Sequence, residues 1–379
     1  MLKQAWLQRL IQHIEQLTPP YTLKGETALA IAILPLSFAY QVLESLYGKN
    51  ADSAHSLPYV VLLALFTAVA FSSVFALATP PGERWIRRML AGKRTTAYLA
   101  ALPPLYAGLY LLTLWAGGFP ELYTDALKKI VEPWSRFPLP LVLAVAAILL
   151  YGCFRGGLAL ARRVDANAAE LPPHFGWRQL GCVLFTAFPY LVLQEFLPLL
   201  WCFSTPAALI VMMYGAGLGR EYFGFTFMPR SRKEALFVIA LLISGLLLFL
   251  ATNFIVGGIA YTGDLWQMPW WKVYTSTFMM LFIVGISEEV IFRCGILTLF
   301  ASLLERYRCR YPRSAAAIAT SLLFGIAHFP HGPLLMFLAF LASLLYGLAF
   351  VGGKSLFGPV LLHGLLNVLL LKNFQLLAF

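Results

Sequence analysis

Long apolar runs alternate with short polar segments along most of the chain. A hydrocarbon core of about 30 Å needs about 20 apolar residues per helix. By that measure the sequence predicts candidate spans at about 26–46, 56–79, 96–118, 139–161, 181–203, 205–218, 234–258, 272–304, 315–329, 333–351 and 357–373. The sixth is short and follows "STP", so 181–218 can also be a single kinked or partly re-entrant hairpin. The pattern predicts an all-α, polytopic transmembrane bundle of about 9–11 helices.

Composition and charge support the membrane class. The 379 residues are 60% hydrophobic and only 12% charged, which excludes a soluble domain. The net charge of +11 lies in short basic clusters, in loops 80–95, 219–233 and 305–314, as the positive-inside rule expects of cytoplasmic loops. Alternating spans with a cytoplasmic N-terminus place all three clusters inside, although loop 119–138, with three basic residues, then lies outside. Dispersed clusters of this kind predict no nucleic-acid partner.

The sequence also predicts an N-terminal amphipathic segment and one boundary between two regions of the chain. Residues 1–17 show apolar positions at helical spacing with charges off that stripe, which indicates an amphipathic helix on the membrane surface or packed on a cytoplasmic loop. Polar residues inside apolar runs concentrate late in the chain. We therefore predict a boundary near residue 225, between an N-terminal membrane region (1–225, with the amphipathic helix and about five or six transmembrane helices) and a second region (226–379).

The string "SEEVIFR" (287–293) places three charges inside an apolar run. Insertion scales assign roughly 2.5–3.5 kcal/mol to each charge near the bilayer centre. Glu289 and Arg293 are four residues apart on one helix face, so they are predicted to pair and to serve the structure. Glu288 points about 100° away and has no basic residue at i+3 or i+4. That glutamate is the candidate general base.

Two further strings carry polar side chains, "FGIAH" (324–328) and "HGLLN" (363–367). His363 and Asn367 share a helix face and offer two hydrogen-bond donors, as an oxyanion site requires. His328 precedes a tight turn and is placed to share a water with Glu288. Each string alone has a structural explanation: a buried histidine, a helix–helix hydrogen-bond pair, or a helix end at the interface. Together, in one bundle, they indicate a functional site.

The three strings resemble the motif set of the CPBP family, the CAAX-protease and bacteriocin-processing membrane peptidases also called Abi proteins. The family pattern EExxxR, FxxxH and HxxxN is matched, in order, by Glu288, Glu289 and Arg293, by Phe324 and His328, and by His363 and Asn367. The resemblance covers about residues 272–373, so region 226–379 is expected to be the protease domain.

Membership in this family implies a glutamate-dependent intramembrane endopeptidase that uses no metal or other cofactor. The first glutamate and the first motif histidine would activate water, and the last histidine and asparagine would stabilise the oxyanion. The implied partners are a membrane-associated peptide or protein substrate and the lipid bilayer, in a prokaryotic plasma membrane. Gly285, Gly295 and Gly325 are expected to permit close helix approach around a water-filled cavity.

Two rival functions remain open on the sequence. A zinc peptidase is possible because one glutamate and two histidines are an adequate ligand set. Against it, no HExxH is present and Asn367 is a poor zinc ligand. A non-enzymatic immunity or proton-coupled transport protein is the second rival, but a transporter should show an inverted repeat, and none is visible.

Overall fold

The computed structural model describes most of the C-terminal half of the chain and parts of the N-terminal half. The described residues are 24–47, 57–92, 219–256, 259–261, 263–329, 332–371 and 374–376, with scattered helical positions between 98 and 214. Their helices are α1 (Lys24–Tyr47), α2 (Leu57–Ala78), α3 (Pro80–Ala91), α4 (Arg232–Val256), α5 (Asp264–Gln267), the composite α6 described below, α7 (Pro312–Ala327), α8 (Pro333–Gly353) and α9 (Phe357–Leu371).

The structure confirms an all-α, multi-pass membrane architecture. Within the described ranges three segments are long and apolar enough to cross a bilayer, Val60–Leu77, Arg232–Thr252 and Pro333–Gly353. Helices α1, α7 and α9 contain shorter apolar stretches. The spans predicted between 96 and 218 fall almost wholly outside the described residues, as does the amphipathic helix predicted over 1–17. The total of 9–11 helices therefore stays a prediction.

Chain contacts separate two compact units, residues 26–219 and a unit that contains residues 220–379. In the first unit the prediction of a loop over 80–95 was wrong, because α3 occupies most of it. Thr79 caps this helix by accepting a hydrogen bond from the Gly82 backbone N–H at 3.2 Å, and Pro80 fills the first helical position. Glu83 pairs with Arg87 one turn later at 3.0 Å. These start signals were present in the sequence and outweigh the polar composition.

Helix α6 carries the two adjacent glutamates and is not a regular α-helix. Its α-helical parts, Trp270–Phe278, Ile286–Glu289 and Thr298–Arg306, alternate with π-helical parts, Met279–Gly285 and Val290–Leu297. Directly after the second π-helical part, the Thr298 hydroxyl donates to the Arg293 carbonyl, five residues back, at 3.0 Å. Such wide turns inside helices occur frequently at functional sites.

Small residues set how closely the neighbouring helices approach α6 and α7. A Cβ at Gly325 would lie 2.9 Å from Phe340 Cβ of α8. One at Gly285 would lie 3.5 Å from the Val360 carbonyl oxygen of α9, and one at Gly364 would overlap Leu281. The expected close approach is thus present at Gly325 and Gly285. At Gly295 it was wrong, since the one atom near that position belongs to α6 itself.

The loop before α4 fixes where α9 begins. The Leu356 backbone N–H donates to the carbonyls of Gly224, at 3.1 Å, and Thr226, at 2.9 Å. Gly224 has a φ of +67°, a conformation that glycine adopts without steric cost. Buried Glu234 accepts hydrogen bonds from the Ser355 hydroxyl and, at 2.5 Å, from the Arg230 backbone N–H. The segment that leads into α9 is therefore held before the helix reaches His363.

Two short strands are the exception to the helical architecture among the described residues. Strand β1 (Ile259–Tyr261) pairs antiparallel with β2 (Phe374–Leu376), with Ile259 opposite Leu376 and Tyr261 opposite Phe374. The pairing joins the segment that follows α4 to the segment that follows α9. Both helices are thereby tied at this end as well.

Candidate active site

A cavity of about 260 Å³ lies among helices α4, α6, α7, α8 and α9. Most of its wall is apolar, with Leu248 of α4, Ala342 of α8 and Leu366 of α9 as examples. Its polar lining consists of Glu288, His328, Tyr346, His363 and Asn367. The structure thus brings the four residues proposed from the sequence as catalytic to one cavity, together with a tyrosine that the sequence analysis did not select.

Glu289 and Arg293 form the ion pair that their spacing predicts. Glu289 Oε2 accepts from Arg293 Nε at 2.6 Å, and both side chains are fully buried. Arg293 Nη2 also donates to Ser343 Oγ of α8 at 2.9 Å. The guanidinium lies 5.9 Å from the ring centroid of Phe324 and 5.8 Å from that of Tyr346. Hydrogen bonds and aromatic faces offset part of the cost of removing these charges from water, while Arg293 Nη1 is buried without a hydrogen bond to any described residue.

His363 links the two glutamates. Its Nδ1 lies 2.8 Å from Glu289 Oε1, and its Nε2 lies 3.8 Å from Glu288 Oε2. An ionised carboxylate only accepts, so Nδ1 donates its proton to Glu289. In a neutral ring Nε2 is then an acceptor, and it becomes a donor only when the ring carries both protons. The sequence analysis assigned Glu289 to Arg293 alone, because nothing in local spacing connects residues 74 positions apart.

His328 lies at the C-terminal end of α7, as the sequence indicated. Its ring is fixed by a 2.9 Å hydrogen bond between Nδ1 and the carbonyl oxygen of Phe324, one turn earlier. A carbonyl can only accept, so Nδ1 carries the proton, and in the neutral ring Nε2 holds the lone pair. The Phe324 ring lies 4.7 Å from the His328 ring, between centroids. The motif phenylalanine therefore orients the motif histidine through both its backbone and its ring.

Asn367 lies one turn beyond His363 on α9 and reaches the same cavity. Its Nδ2 donates to Met280 Sδ at 3.9 Å. A thioether is a weak acceptor, so a substrate oxygen can displace it at low cost. Glu288, by comparison, keeps 23% of its side chain exposed, whereas Glu289 beside it keeps none. The two adjacent glutamates therefore have different surroundings, one on the cavity wall and one sealed behind it.

Aromatic rings pack around the histidines. The Tyr346 ring stacks on His363 with centroids 4.9 Å apart and an interplanar angle of 14°. Phe324 meets His363 edge-on at 5.9 Å and 81°. Tyr346 was missed by the sequence analysis, although a single tyrosine hydroxyl inside the apolar run "LASLLYGLAF" is a signal of the same kind as the motif residues. These contacts restrict the rotation of the His363 ring.

Residues 269–369 match the family model described as Type II CAAX prenyl endopeptidase Rce1-like. This region is similar to CAAX proteases. The predicted resemblance is confirmed, with slightly earlier limits than the predicted 272–373. The matched region contains α6 to α8, all of α9 except its last two residues, and all five polar residues of the cavity wall, whereas α4 precedes it. Comparison with curated proteins and with solved structures finds no significant match.

The family match indicates the general class of the matched region. CAAX-type proteases of this kind are membrane-embedded hydrolases that act on membrane-associated peptides or proteins, and the apolar helices agree with that setting. The matched region is therefore that of a multi-pass membrane protease. The match does not extend to residues 1–268, which include the unit formed by residues 26–219.

Proposed function

We propose that this chain is an intramembrane endopeptidase of the glutamic type, in which Glu288 is the general base. The observation that carries the proposal is the position of Glu288. Its carboxylate lies on the wall of the cavity, partly exposed, with His328, His363 and Asn367 on the same wall. Glu289 carries the same functional group but is committed to Arg293 and His363.

In the proposed reaction a water bound between Glu288 and His328 attacks the carbonyl carbon of the scissile peptide bond. Glu288 takes the water proton, assisted by Nε2 of His328, while the carbonyl π electrons move to the oxygen. The oxyanion then re-forms the C=O bond as the C–N bond breaks, the C–N electron pair leaves with the nitrogen, and the proton held by Glu288 passes to that nitrogen. One carboxylate thus acts as base and then as acid, as in other hydrolytic general acid–base mechanisms.

The proposed stabilisation of the oxyanion comes from Asn367 and His363. The Asn367 amide donates without any change in its protonation. His363 donates through Nε2 when its ring is doubly protonated, a state in which Nδ1 also keeps its hydrogen bond to Glu289. With His363 protonated, the charges of Glu288, Glu289, Arg293 and His363 sum to zero, which lowers the cost of placing them in a low-dielectric bundle.

We propose a membrane-associated peptide or protein as the substrate and a prokaryotic plasma membrane as the location. The apolar cavity wall favours an apolar side chain beside the scissile bond. Leu338 and Ala342 of α8, with Leu248 of α4, provide that surface next to the polar cluster. Region 226–379 is proposed as the protease domain.

The proposal is tested on the full chain reconstituted in phospholipid vesicles. Two fluorogenic probes are used, a prenylated peptide that ends in a CAAX sequence and a peptide that spans the bilayer. Wild type is compared with Glu288→Gln and with Glu305→Gln, a control at a half-exposed carboxylate whose contact with Arg313 is a 3.9 Å ion pair. We expect Glu288-dependent cleavage of at least one probe and normal activity of the control. Cleavage by Glu288→Gln at the wild-type rate, or no cleavage by well-folded wild type, would refute the proposal.

The zinc alternative is tested in the same assay. Among the described residues no group of three histidine, cysteine, aspartate or glutamate side chains is arranged to hold a metal ion. Glutamic-type hydrolysis should continue after treatment with a strong chelator and dialysis. Loss of activity that added Zn²⁺ restores would instead assign the reaction to a metal-bound water.

A further inference from the structure

Tyr346 lies at the centre of the site without a role in the reaction as set out above. It is 2% exposed, it belongs to α8, and it lines the cavity beside Glu288, His363 and Asn367. Its ring contacts three members of the cluster: it stacks on His363, meets Phe324 edge-on at 6.4 Å, and faces the guanidinium of Arg293. The position of the ring is therefore closely determined.

The hydroxyl of Tyr346 makes no hydrogen bond to any residue in the part of the chain that the structure describes. Buried tyrosine hydroxyls normally have a partner, because removing the group from water without one costs free energy. The hydroxyl oxygen is not one of the fully buried polar atoms that lack a hydrogen bond. It therefore retains some accessible surface, and the residue borders the cavity. Because no described residue supplies a partner and the residue borders the cavity, a group that enters the cavity is the partner we consider for this hydroxyl.

The other polar groups of the cavity wall differ in what they can donate. Ionised Glu288 only accepts hydrogen bonds. In the neutral rings of His328 and His363 the protonated nitrogen is already committed, to the Phe324 carbonyl and to Glu289 respectively. Among the described residues that line the cavity, Asn367 and Tyr346 are thus the two donors that need no additional proton.

We propose that Tyr346 is a further catalytic residue of the protease, whose hydroxyl donates a hydrogen bond to the scissile carbonyl oxygen as that oxygen becomes an oxyanion. The inference rests on the proposed function. No proton is transferred to the oxygen: the phenol remains protonated, and its O–H dipole stabilises the charge that develops in the transition state. The stack on His363 is a separate contribution, made by the ring rather than by the hydroxyl.

The variant Tyr346→Phe separates the hydroxyl from the ring. It keeps the stack on His363 and the edge contact with Phe324 and removes one oxygen atom. We expect kcat to fall by about 10²–10³-fold, the effect typical of a lost oxyanion donor, with little change in KM. Because no residue in the described part of the chain bonds to the removed hydroxyl, the Tm of the variant should equal or exceed that of wild type.

A matched control is Tyr222→Phe. The Tyr222 hydroxyl is hydrogen-bonded to Ser302 Oγ at 2.7 Å, and Tyr222 is not part of the cavity wall. Its removal should lower the Tm and leave kcat unchanged, the opposite of the result expected at Tyr346. If the inference is right, Tyr346→Phe lowers kcat without lowering the Tm, and Tyr222→Phe lowers the Tm without lowering kcat.

The assay uses the reconstituted full chain and the bilayer-spanning or prenylated probe that wild type cleaves. A peptide aldehyde of the same sequence, which forms a tetrahedral hydrate, provides a second measurement. Tyr346→Phe should weaken aldehyde inhibition by about the same factor as kcat and leave inhibition by the product peptide unchanged. Wild-type kcat in Tyr346→Phe, or a loss of kcat that accompanies a lowered Tm, would overturn this inference alone. Absence of Glu288-dependent cleavage in wild type would overturn the proposed function and this inference with it.

Discussion

The adjacent glutamates of α6 allow the same chemical change to be made at two neighbouring positions with opposite expected results. Glu289→Gln removes the charge that Arg293 contacts at 2.6 Å and His363 at 2.8 Å, in a site with no solvent exposure. Breaking a buried pair by neutralising one partner costs about 3–5 kcal/mol, because the remaining charge stays buried without compensation. We expect Glu289→Gln to lower the free energy of unfolding by that amount.

Glu288→Gln should behave differently because the Glu288 side chain is 23% exposed and its nearest basic atom, His363 Nε2, is 3.8 Å away. A partly solvated contact of this length contributes about 1 kcal/mol or less. The free energy of unfolding should therefore change little. Cleavage should fall by about 10²–10⁴-fold, the usual contribution of a general acid–base residue.

Both variants are measured in two assays, reversible unfolding by sodium dodecyl sulfate in mixed micelles and hydrolysis of the cleaved probe in vesicles. The double variant Glu289→Gln with Arg293→Met removes both charges and should be more stable than either single variant, since no uncompensated charge remains. If Glu289→Gln unfolds like wild type, or if Glu288→Gln loses as much stability as Glu289→Gln, the division between a structural and a chemical glutamate is incorrect.

Three further predictions concern the surroundings of this pair. Asn367→Ala and His363→Ala should each lower kcat by about 10²–10³-fold; wild-type turnover in either variant would remove that residue from the oxyanion site. Gly325→Ala places a Cβ 2.9 Å from a side chain of α8 and should lower the free energy of unfolding by about 1–3 kcal/mol. Gly295→Ala is the control: a Cβ there meets no atom of another helix, so this variant should unfold like wild type. Ala342→Leu fills part of the apolar cavity wall and should lower cleavage of probes with a large apolar residue beside the scissile bond more than of probes with alanine there; equal effects on both would place that side chain elsewhere.

The class of the protein and the positions of several helices could be predicted from the amino-acid sequence alone. An apolar run of about 20 residues in a bilayer is expected to form a helix, because every backbone polar group must be hydrogen-bonded within the segment. Predicted spans 26–46 and 333–351 accordingly lie within a few residues of α1 and α8. The pairing of Glu289 with Arg293 was also readable, since residues four apart on a helix must be neighbours.

Contacts between helices were decided only by the tertiary structure. The link from Glu289 to His363 and the stack of Tyr346 on His363 join residues of different helices. Spacing along one helix does not specify the rotation and separation of a second helix, which depend on packing at positions such as Gly325 and Gly364. The motif residues of the site could therefore be proposed from the sequence. The hydrogen bond that holds His363, and the presence of Tyr346 on the cavity wall, followed from how the helices pack.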